Sequence, residues 1–221
     1  MRIVGVLLAA GSGSRFGGDK LLHPIAQRPH PDLLPRADED PGEGVSPSQP
    51  RSPSGNVPMG VIACRHLVDA LPDTIAVVRS TDVALGALLR SAGARVIECA
   101  DAASGMGHSL ACAINASRDA DGWVVALADM PWLQMATIAA LANALRDGAP
   151  MVAPACGGRR GNPVGFSSAY ADALANLQGD RGARDVVERA GAALRLIEVD
   201  DAGVLRDIDR AADIGADDRR A

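Results

Sequence analysis

Short apolar runs of strand length alternate with helix-like stretches through most of this chain, and this alternation limits the folds it can adopt. The runs are continuously apolar rather than alternating, as in residues 3–9, which predicts strands buried on both faces. Each run is followed by a stretch of helix length, which favours parallel strands joined by crossover helices. The pattern therefore predicts an α/β fold, a doubly wound three-layer α/β/α domain with a mostly parallel, Rossmann-like sheet.

The predicted elements also indicate where a ligand would bind. In a doubly wound sheet, ligands bind outside the carboxyl ends of the strands, which here means the loops after Ala9, Glu98 and Leu127. The second half of the chain is expected to add edge structure over the site. Strands are expected at residues 3–9, 74–78, 95–98, 123–127, 151–154, 164–167 and 194–199, and helices at 60–70, 83–91, 107–118, 136–146, 169–177 and 183–189.

A chain of 221 residues is long enough for one domain with a single core, and we assign residues 1–221 to it. Residues 28–58 stand apart, because they hold eight of the fourteen prolines and few large apolar side chains. Such a composition buries too little apolar surface to offset the entropy cost of ordering. We expect a disordered proline-rich insertion there, with a lid or a docking segment as the alternative.

Charge and cysteine usage exclude several classes of protein. The net charge is −5 and no Lys/Arg run forms a basic stripe, so no nucleic-acid partner is expected. No apolar stretch reaches membrane-spanning length, and the apolar start of the chain is short for a signal peptide. The cysteines show neither CxxC nor Cys/His spacing, which argues against a zinc site and a disulfide framework and favours a cytoplasmic location. They are Cys64, Cys99, Cys112 and Cys156.

A glycine-rich segment, residues 9–20, follows the first strand and resembles a phosphate-binding loop. Its backbone N–H groups could hold a phosphate, with positive charge from Arg15 and Lys20. Phe16 breaks the dinucleotide fingerprint and Asp19 breaks the Walker pattern, so neither motif applies. Lys20 is the only lysine among 22 basic residues, which suggests a role that a compact ammonium fills and a guanidinium does not.

Carboxylates recur at two places that could serve a cation. Asp129 follows an apolar strand in Leu127-Ala128-Asp129-Met130-Pro131, and a carboxylate at that edge suits Mg²⁺, although a turn or a helix cap would use the same residue. A second acidic group comes later in the chain, where a solvated acidic turn is the alternative. It consists of Asp200, Asp201, Asp207 and Asp209.

Six motifs in order make the chain resemble the MobA-like nucleotidyltransferases, and among them the molybdenum cofactor cytidylyltransferases. Together they cover nearly the whole chain, which is far more specific than any one of them. They are residues 8–17 with Lys20-Leu21-Leu22, Gly105-Met106-Gly107-His108-Ser109-Leu110, Asp129-Met130-Pro131, Gly161-Asn162-Pro163, Gly179-Asp180-Arg181-Gly182-Ala183 and Asp207-Ile208-Asp209. Two departures are the length of the insertion and Arg210-Ala211 in place of Thr-Pro.

The resemblance implies roles for individual residues. Arg15, Lys20 and Asp129 would be the catalytic residues, with Mg²⁺ on Asp129 and either Asp207 or Asp209. The nucleotide would bind at Leu8, Ala9, Ala10, Gly11, Ser12, Gly13, Arg15, Lys20, Gly105, Ser109 and Asp129. The acceptor would bind at His108, Met130, Gly161, Asn162, Pro163 and Asp180.

The reaction that the resemblance implies is transfer of CMP from CTP to the phosphate of molybdopterin, with release of pyrophosphate. Guanylyl relatives carry Leu-Ala-Gly-Gly where this chain has Leu8-Ala9-Ala10-Gly11, and the extra methyl group favours cytosine over guanine. Partners would be CTP, molybdopterin, and a molybdoenzyme or its chaperone. Alternatives are a guanylyltransferase, a sugar- or polyol-phosphate nucleotidyltransferase, and a non-catalytic module that delivers cofactor.

Overall fold

The computed structural model describes residues 1–11, 16–26 and 56–215. Three predicted nucleotide-binding residues, Ser12, Gly13 and Arg15, and residues 28–55 of the expected insertion lie outside the described residues. In the described part of the chain, the longest helices are too short to cross a membrane as an apolar span.

A mixed, mostly parallel sheet forms the centre of the fold, which confirms the predicted α/β class. Its order is β10-β7-β9-β6-β1-β4-β5, with β8 paired to β7, while β2 and β3 form a separate hairpin. Parallel pairing joins β1 to β4 and β6, β4 to β5, and β7 to β10. The strands are β1 (Ile3–Leu8), β2 (Pro24–Ala26), β3 (Asn56–Pro58), β4 (Thr74–Arg79), β5 (Arg95–Cys99), β6 (Gly122–Leu127), β7 (Met151–Cys156), β8 (Arg159–Arg160), β9 (Val164–Ser167) and β10 (Leu194–Glu198).

Helices cover both faces of this sheet, as the continuously apolar strands require. Successive side chains of a strand point to opposite faces, and accordingly Leu7 and Val6 of β1 lie in different core layers. Leu7 packs in the layer of α1, α2 and α4, and Val6 in the layer of α3, α5 and α6. The helices are α1 (Met59–Ala70), α2 (Val83–Ser91), α3 (Met106–Asn115), α4 (Met135–Arg146), α5 (Ala171–Ala175) and α6 (Arg184–Ala190).

Strand β9 corrects one expectation about the second half of the chain. It lies inside the sheet, antiparallel to both β6 and β7, and not at an edge over the site. A side chain at Gly165 would lie 2.5 Å from a methyl carbon of Val152 on β7 and 3.0 Å from a methyl carbon of Leu145 on α4, so this strand packs closely beneath α4. Strand β10 does lie at the sheet edge. An apolar run does not encode the direction of its strand, which is why the pattern placed β9 wrongly.

Two predicted helices are shorter in the structure. The helix expected over residues 107–118 ends at Asn115, and Ser117 then donates its backbone N–H to Ile114 in a turn. The helix expected over residues 169–177 divides into a 3₁₀ turn, Ser168–Tyr170, and the short α5.

The last three residues assigned to the proline-rich insertion are ordered as strand β3. They pair antiparallel with β2, so that Ala26 faces Asn56 and Pro24 faces Pro58. The side chain of Ile25 is buried beside Met59, the first residue of α1. Residues 24–26 and 56–58, which flank the part of the insertion outside the described residues, are therefore held side by side.

The expectation of unpaired cysteines is wrong for two of the four. Cys99 and Cys112 form a disulfide, with Cα atoms 6.2 Å apart. Cys99 ends β5, and Cys112 lies on α3, which packs against that strand. This packing brings together two cysteines that are 13 residues apart in the sequence. Cys64 and Cys156 are free, and burial raises the pKa of the Cys64 thiol to about 11.

Candidate active site

The carboxyl ends of β1, β4 and β6 surround a cavity of about 430 Å³, which is where a doubly wound fold places its ligand. We call it the main cavity. It brings together seven predicted site residues from four separate motifs, which are Leu8, Ala10, Gly11, Gly105, Ser109, Asp129 and Asp180. Arg79, Ala102, Ala103, Met106 and Leu127 complete its lining.

Backbone hydrogen bonds beyond the strands hold the floor of the main cavity. Ala9 donates its N–H to the carbonyl of Val77 at 2.9 Å, and Ala128 donates to the carbonyl of Leu8 at 3.1 Å. The segments that follow β1 and β6 thus leave the sheet side by side. This pairing sets the start of the glycine-rich segment, residues 9–11, beside the segment that carries Asp129.

Three carboxylates meet beside the main cavity, as the second acidic motif suggested. One oxygen each of Asp129, Asp207 and Asp209 lies within 4.8 Å of the others. Ile208 donates its N–H to the carbonyl of Asp129 at 3.0 Å, and the Ile208 side chain is fully buried. This anchor fixes both neighbouring aspartates against the loop after β6.

Lys20 lies within this acidic cluster. Its ammonium donates to Asp129 Oδ2 at 2.8 Å and lies 3.7 Å from Asp209 Oδ1, and its side chain is about nine-tenths buried. Burial, together with the charge of Asp207, raises the pKa of the Asp129 carboxyl above its usual value, while Lys20 opposes this shift. The charged form of the Asp129 carboxylate is therefore less favourable in the folded protein than in water.

The residues present fit a divalent cation. Asp129 Oδ1 is buried and accepts no hydrogen bond from another described residue. An acceptor-only oxygen in that state, next to two further carboxylates, is the oxygen-rich donor set that Mg²⁺ prefers. Both Asp207 and Asp209 belong to this set.

Asp201 is not part of the acidic cluster, although it belongs to the acidic segment that the sequence offered. It is buried and accepts hydrogen bonds from the N–H of Gln134 at 2.9 Å, the hydroxyl of Thr137 at 2.7 Å and the N–H of Gly203 at 2.9 Å. The first two contacts satisfy groups at the start of α4. Asp201 therefore ties the segment that leads to Asp207 to the helix that follows Asp129.

His108 connects two motifs at the rim of the main cavity. Its Nδ1 accepts a hydrogen bond from the N–H of Gly179 at 3.2 Å, and the N–H of Gly107 donates to the carbonyl of Gly179 at 2.8 Å. A side chain at Gly105 or Gly107 would lie within 3 Å of this loop, so glycine is needed at both positions. Through its hydrogen bond, His108 holds the 178–180 loop in place.

Several residues that the resemblance assigned to the acceptor make packing contacts within the protein. Met130 is 2% exposed, which leaves its side chain no access to a ligand. Gly161 lies against Val204, where a side chain would meet the Val204 carbonyl oxygen at 2.3 Å. Asn162 donates its N–H to that same carbonyl and precedes Pro163 through a cis peptide bond. Neither cavity described here is lined by these residues.

Arg79 is a site residue that no sequence motif indicated. It ends β4, its guanidinium Nε donates to Asp82 at 2.9 Å, and it lines both the main cavity and a neighbouring cavity of about 130 Å³. Lys20, Ala9 and Gly11 also line the smaller cavity, together with the start of α2. The signal for Arg79 that the sequence offered was a charged residue at the carboxyl end of a predicted strand.

Comparison with known proteins gives consistent relatives. The chain is 29% identical to the purine catabolism protein PucB of Bacillus subtilis, over 94% of this chain and 91% of that protein. The structure of Rv0371C from Mycobacterium tuberculosis in complex with manganese has a TM-score of 0.68 at 21% identity, over 96% of both chains. A nucleotidyl transferase from Methanothermobacter has a TM-score of 0.71 at 19% identity, over 96% of this chain and 94% of that one.

These structural likenesses support the α/β fold, with its mixed and mostly parallel sheet. Residues 46–194, more than half of the chain, match the MobA-like NTP transferase domain. Together with the glycine-rich loop and the carboxylates at one sheet edge, this match identifies the chain as a member of the MobA-like nucleotidyltransferase family.

Proposed function

We propose that this protein transfers CMP from CTP to the terminal phosphate of molybdopterin and releases pyrophosphate. The observation that carries the proposal is the main cavity, which is lined by Ala10 and Gly11 from the start of the glycine-rich segment and by Asp129 of the carboxylate cluster. A nucleoside would bind at Leu8, Ala10 and Gly11, with its phosphates towards Asp129. The choice of molybdopterin rests on the six ordered motifs of the sequence.

In this reaction an oxygen of the acceptor phosphate attacks the α-phosphorus of CTP. A new phosphorus–oxygen bond forms, and the bond from the α-phosphorus to the bridging oxygen breaks, so that pyrophosphate leaves with the electron pair. Phosphoryl transfer of this kind asks the protein mainly for positioning and charge neutralisation. A Mg²⁺ ion held by Asp129, Asp207 and Asp209 would supply positive charge next to the phosphates.

Lys20 would neutralise phosphate charge from a fixed position. Its ammonium has three donors, and the contact with Asp129 uses one of them. The others can bind a phosphate oxygen without loss of that contact. Because Lys20 is almost fully buried, little water competes for these donors.

Cytosine is the proposed base because of Ala10. Its methyl group is buried, 6% exposed, and lies on the lining of the main cavity. A purine is larger than a pyrimidine and would meet this methyl group, whereas a glycine would leave room for it.

Pyrophosphate release tests the proposal. Purified protein with Mg²⁺, CTP and molybdopterin should release pyrophosphate, and GTP should replace CTP poorly. Release with a sugar or polyol phosphate in place of molybdopterin would move the acceptor to that class. Tight nucleotide binding with no pyrophosphate from any acceptor would indicate a non-catalytic module. The matched control is Asp129→Asn, which should release none.

A further inference from the structure

Two charged side chains of the main cavity have no role in the proposed phosphate chemistry. They are Arg79, at the end of β4, and Asp180, in the 178–180 loop. Asp180 was assigned to the acceptor by resemblance, yet it lines the same cavity as Leu8 and Ala10. Both residues therefore line the space in which we propose that the nucleoside binds.

Each of these side chains is held by its own contacts. Asp82 binds the Nε of Arg79, and no hydrogen bond from the two terminal nitrogens to another described residue is found. The carboxylate of Asp180 lies directly over Gly105, because a side chain carbon there would be 2.5 Å from Asp180 Oδ1. The contacts of Gly179 with His108 and Gly107 hold its loop in place.

The two groups have opposite hydrogen-bonding character. A guanidinium can only donate hydrogen bonds, and an ionised carboxylate can only accept them. Cytosine presents the matching edge, with an amino group that donates at N4 and two acceptors at N3 and O2. Uracil has an acceptor at position 4 and a donor at N3, and guanine has donors at N1 and N2. Uracil and guanine would each place an acceptor against the Asp180 carboxylate or a donor against the Arg79 guanidinium.

We propose that Asp180 and Arg79 read the edge of the base and select cytosine, with Asp180 accepting from the 4-amino group and Arg79 donating to N3 and O2. This rests on the proposed function, because Asp129 marks the phosphate end of the cavity. The Asp180–Arg79 pair would exclude UTP by its hydrogen-bonding pattern, whereas the methyl group of Ala10 does not exclude UTP by size.

Calorimetric binding of Mg²⁺ nucleotides, without any acceptor, tests the pair. Wild-type protein should bind CTP about 10- to 100-fold more tightly than UTP, and more tightly than 2-pyrimidinone riboside triphosphate, which lacks the amino group. Asp180→Ala should lose a similar factor for CTP and bind the analogue as wild type does. Arg79→Gln should weaken CTP and leave GTP unchanged or improved, since a glutamine carbonyl can accept from guanine.

The Arg118–Asp172 ion pair supplies matched control variants. It has the same residue types on the outer surface, with Asp172 88% exposed, and neither residue lines a described cavity. Arg118→Gln and Asp172→Asn should leave every affinity unchanged. If Asp180→Ala weakens CTP, UTP and the analogue equally, the carboxylate binds a shared part such as the ribose, and the proposal is wrong.

Failure of this proposal can be told from failure of the proposed function. A wild-type preference for CTP that survives both variants removes the base-reading pair and leaves the cytidylyltransferase assignment intact. A wild-type preference for GTP overturns both proposals. Equal binding of CTP and UTP together with a retained preference for CTP over GTP overturns the inference alone.

Discussion

Asp129→Asn should separate the stability of the fold from the function of the site. Asparagine keeps the shape of the side chain and removes its charge. The pKa of Asp129 is raised by burial and by Asp207 even though Lys20 contacts it, so the folded protein disfavours the charged form. We therefore expect the variant to be at least as stable as wild type in Mg²⁺-free buffer, while it loses cation-dependent activity.

The size of the gain follows from the geometry of the acidic cluster. Two unit charges no more than 4.8 Å apart repel by at least about 3 kcal/mol at an effective dielectric of about 20. Asp207 is exposed and the Asp209 side chain is 49% exposed, so solvent screens this repulsion, and the attraction of Lys20 for Asp129 opposes it, which leaves a net gain of about 1 kcal/mol. A gain of that size would raise the Tm by roughly 2–4 °C in a domain of this length.

The pH dependence has a defined sign. Because the folded-state pKa of Asp129 is raised, the folded protein binds more protons at this group than the unfolded chain does in the window between the two pKa values. Stability from this group therefore falls as the pH rises through that window. The advantage of Asp129→Asn should be full above the raised pKa and should shrink as the pH falls below it.

Thermal unfolding with and without Mg²⁺ and CTP measures these effects. A ligand at ten times its Kd stabilises wild type by about 1.4 kcal/mol, and the variant should show almost none of this. Asp172→Asn, far from the site, should behave as wild type. A variant markedly less stable than wild type in Mg²⁺-free buffer, or one that keeps the full ligand shift, would refute the reasoning.

Three further substitutions test other parts of the structure. Lys20→Arg should lose most turnover in the pyrophosphate assay, since a longer planar group cannot sit in the same buried contact with Asp129; wild-type turnover would contradict this. Ala10→Gly should reduce a CTP-over-GTP preference of roughly ten- to two-hundred-fold in kcat/KM, and equal values for the two nucleotides in wild type would contradict the steric argument. Replacement of residues 29–55 by a short Gly/Ser linker should leave the Tm nearly unchanged, because Ala26 and Asn56 already face each other and a shorter loop costs less to close; a Tm lowered by many degrees would show that the segment contributes to the fold.

The sequence predicted the α/β architecture because its strands are encoded locally. A strand buried on both faces needs an unbroken apolar run, and β1, β4, β6 and β7 are each almost wholly buried. The family resemblance implied a metal on Asp129 and either Asp207 or Asp209, and the structure brings one oxygen of each of the three within 4.8 Å of the others. The strands needed only the types of residue and their order, whereas the metal site also needed the family resemblance.

Features that depend on how separate elements pack were not predicted. The Cys99–Cys112 disulfide exists because α3 lies against β5, and no local pattern reports that distance. The cavity role of Arg79 depends on the neighbouring ends of β1 and β4, which only the sheet order brings together. The same holds for Asp201, whose burial against the start of α4 makes it a structural residue and not a ligand.

The proposed metal-binding half of the site depends on a segment with little regular structure of its own. Residues 201–209 are held by buried Asp201 at the start of α4, by the Val204 carbonyl that accepts from Asn162, and by the N–H of Ile208 on the Asp129 carbonyl. Each contact joins this segment to a different part of the sheet edge, so Asp207 and Asp209 are positioned by long-range packing. Asp129 and Lys20 are instead positioned next to strand β6 and the glycine-rich loop. Substitutions that loosen residues 201–209 should therefore weaken cation binding before they disturb the part of the main cavity proposed for the base.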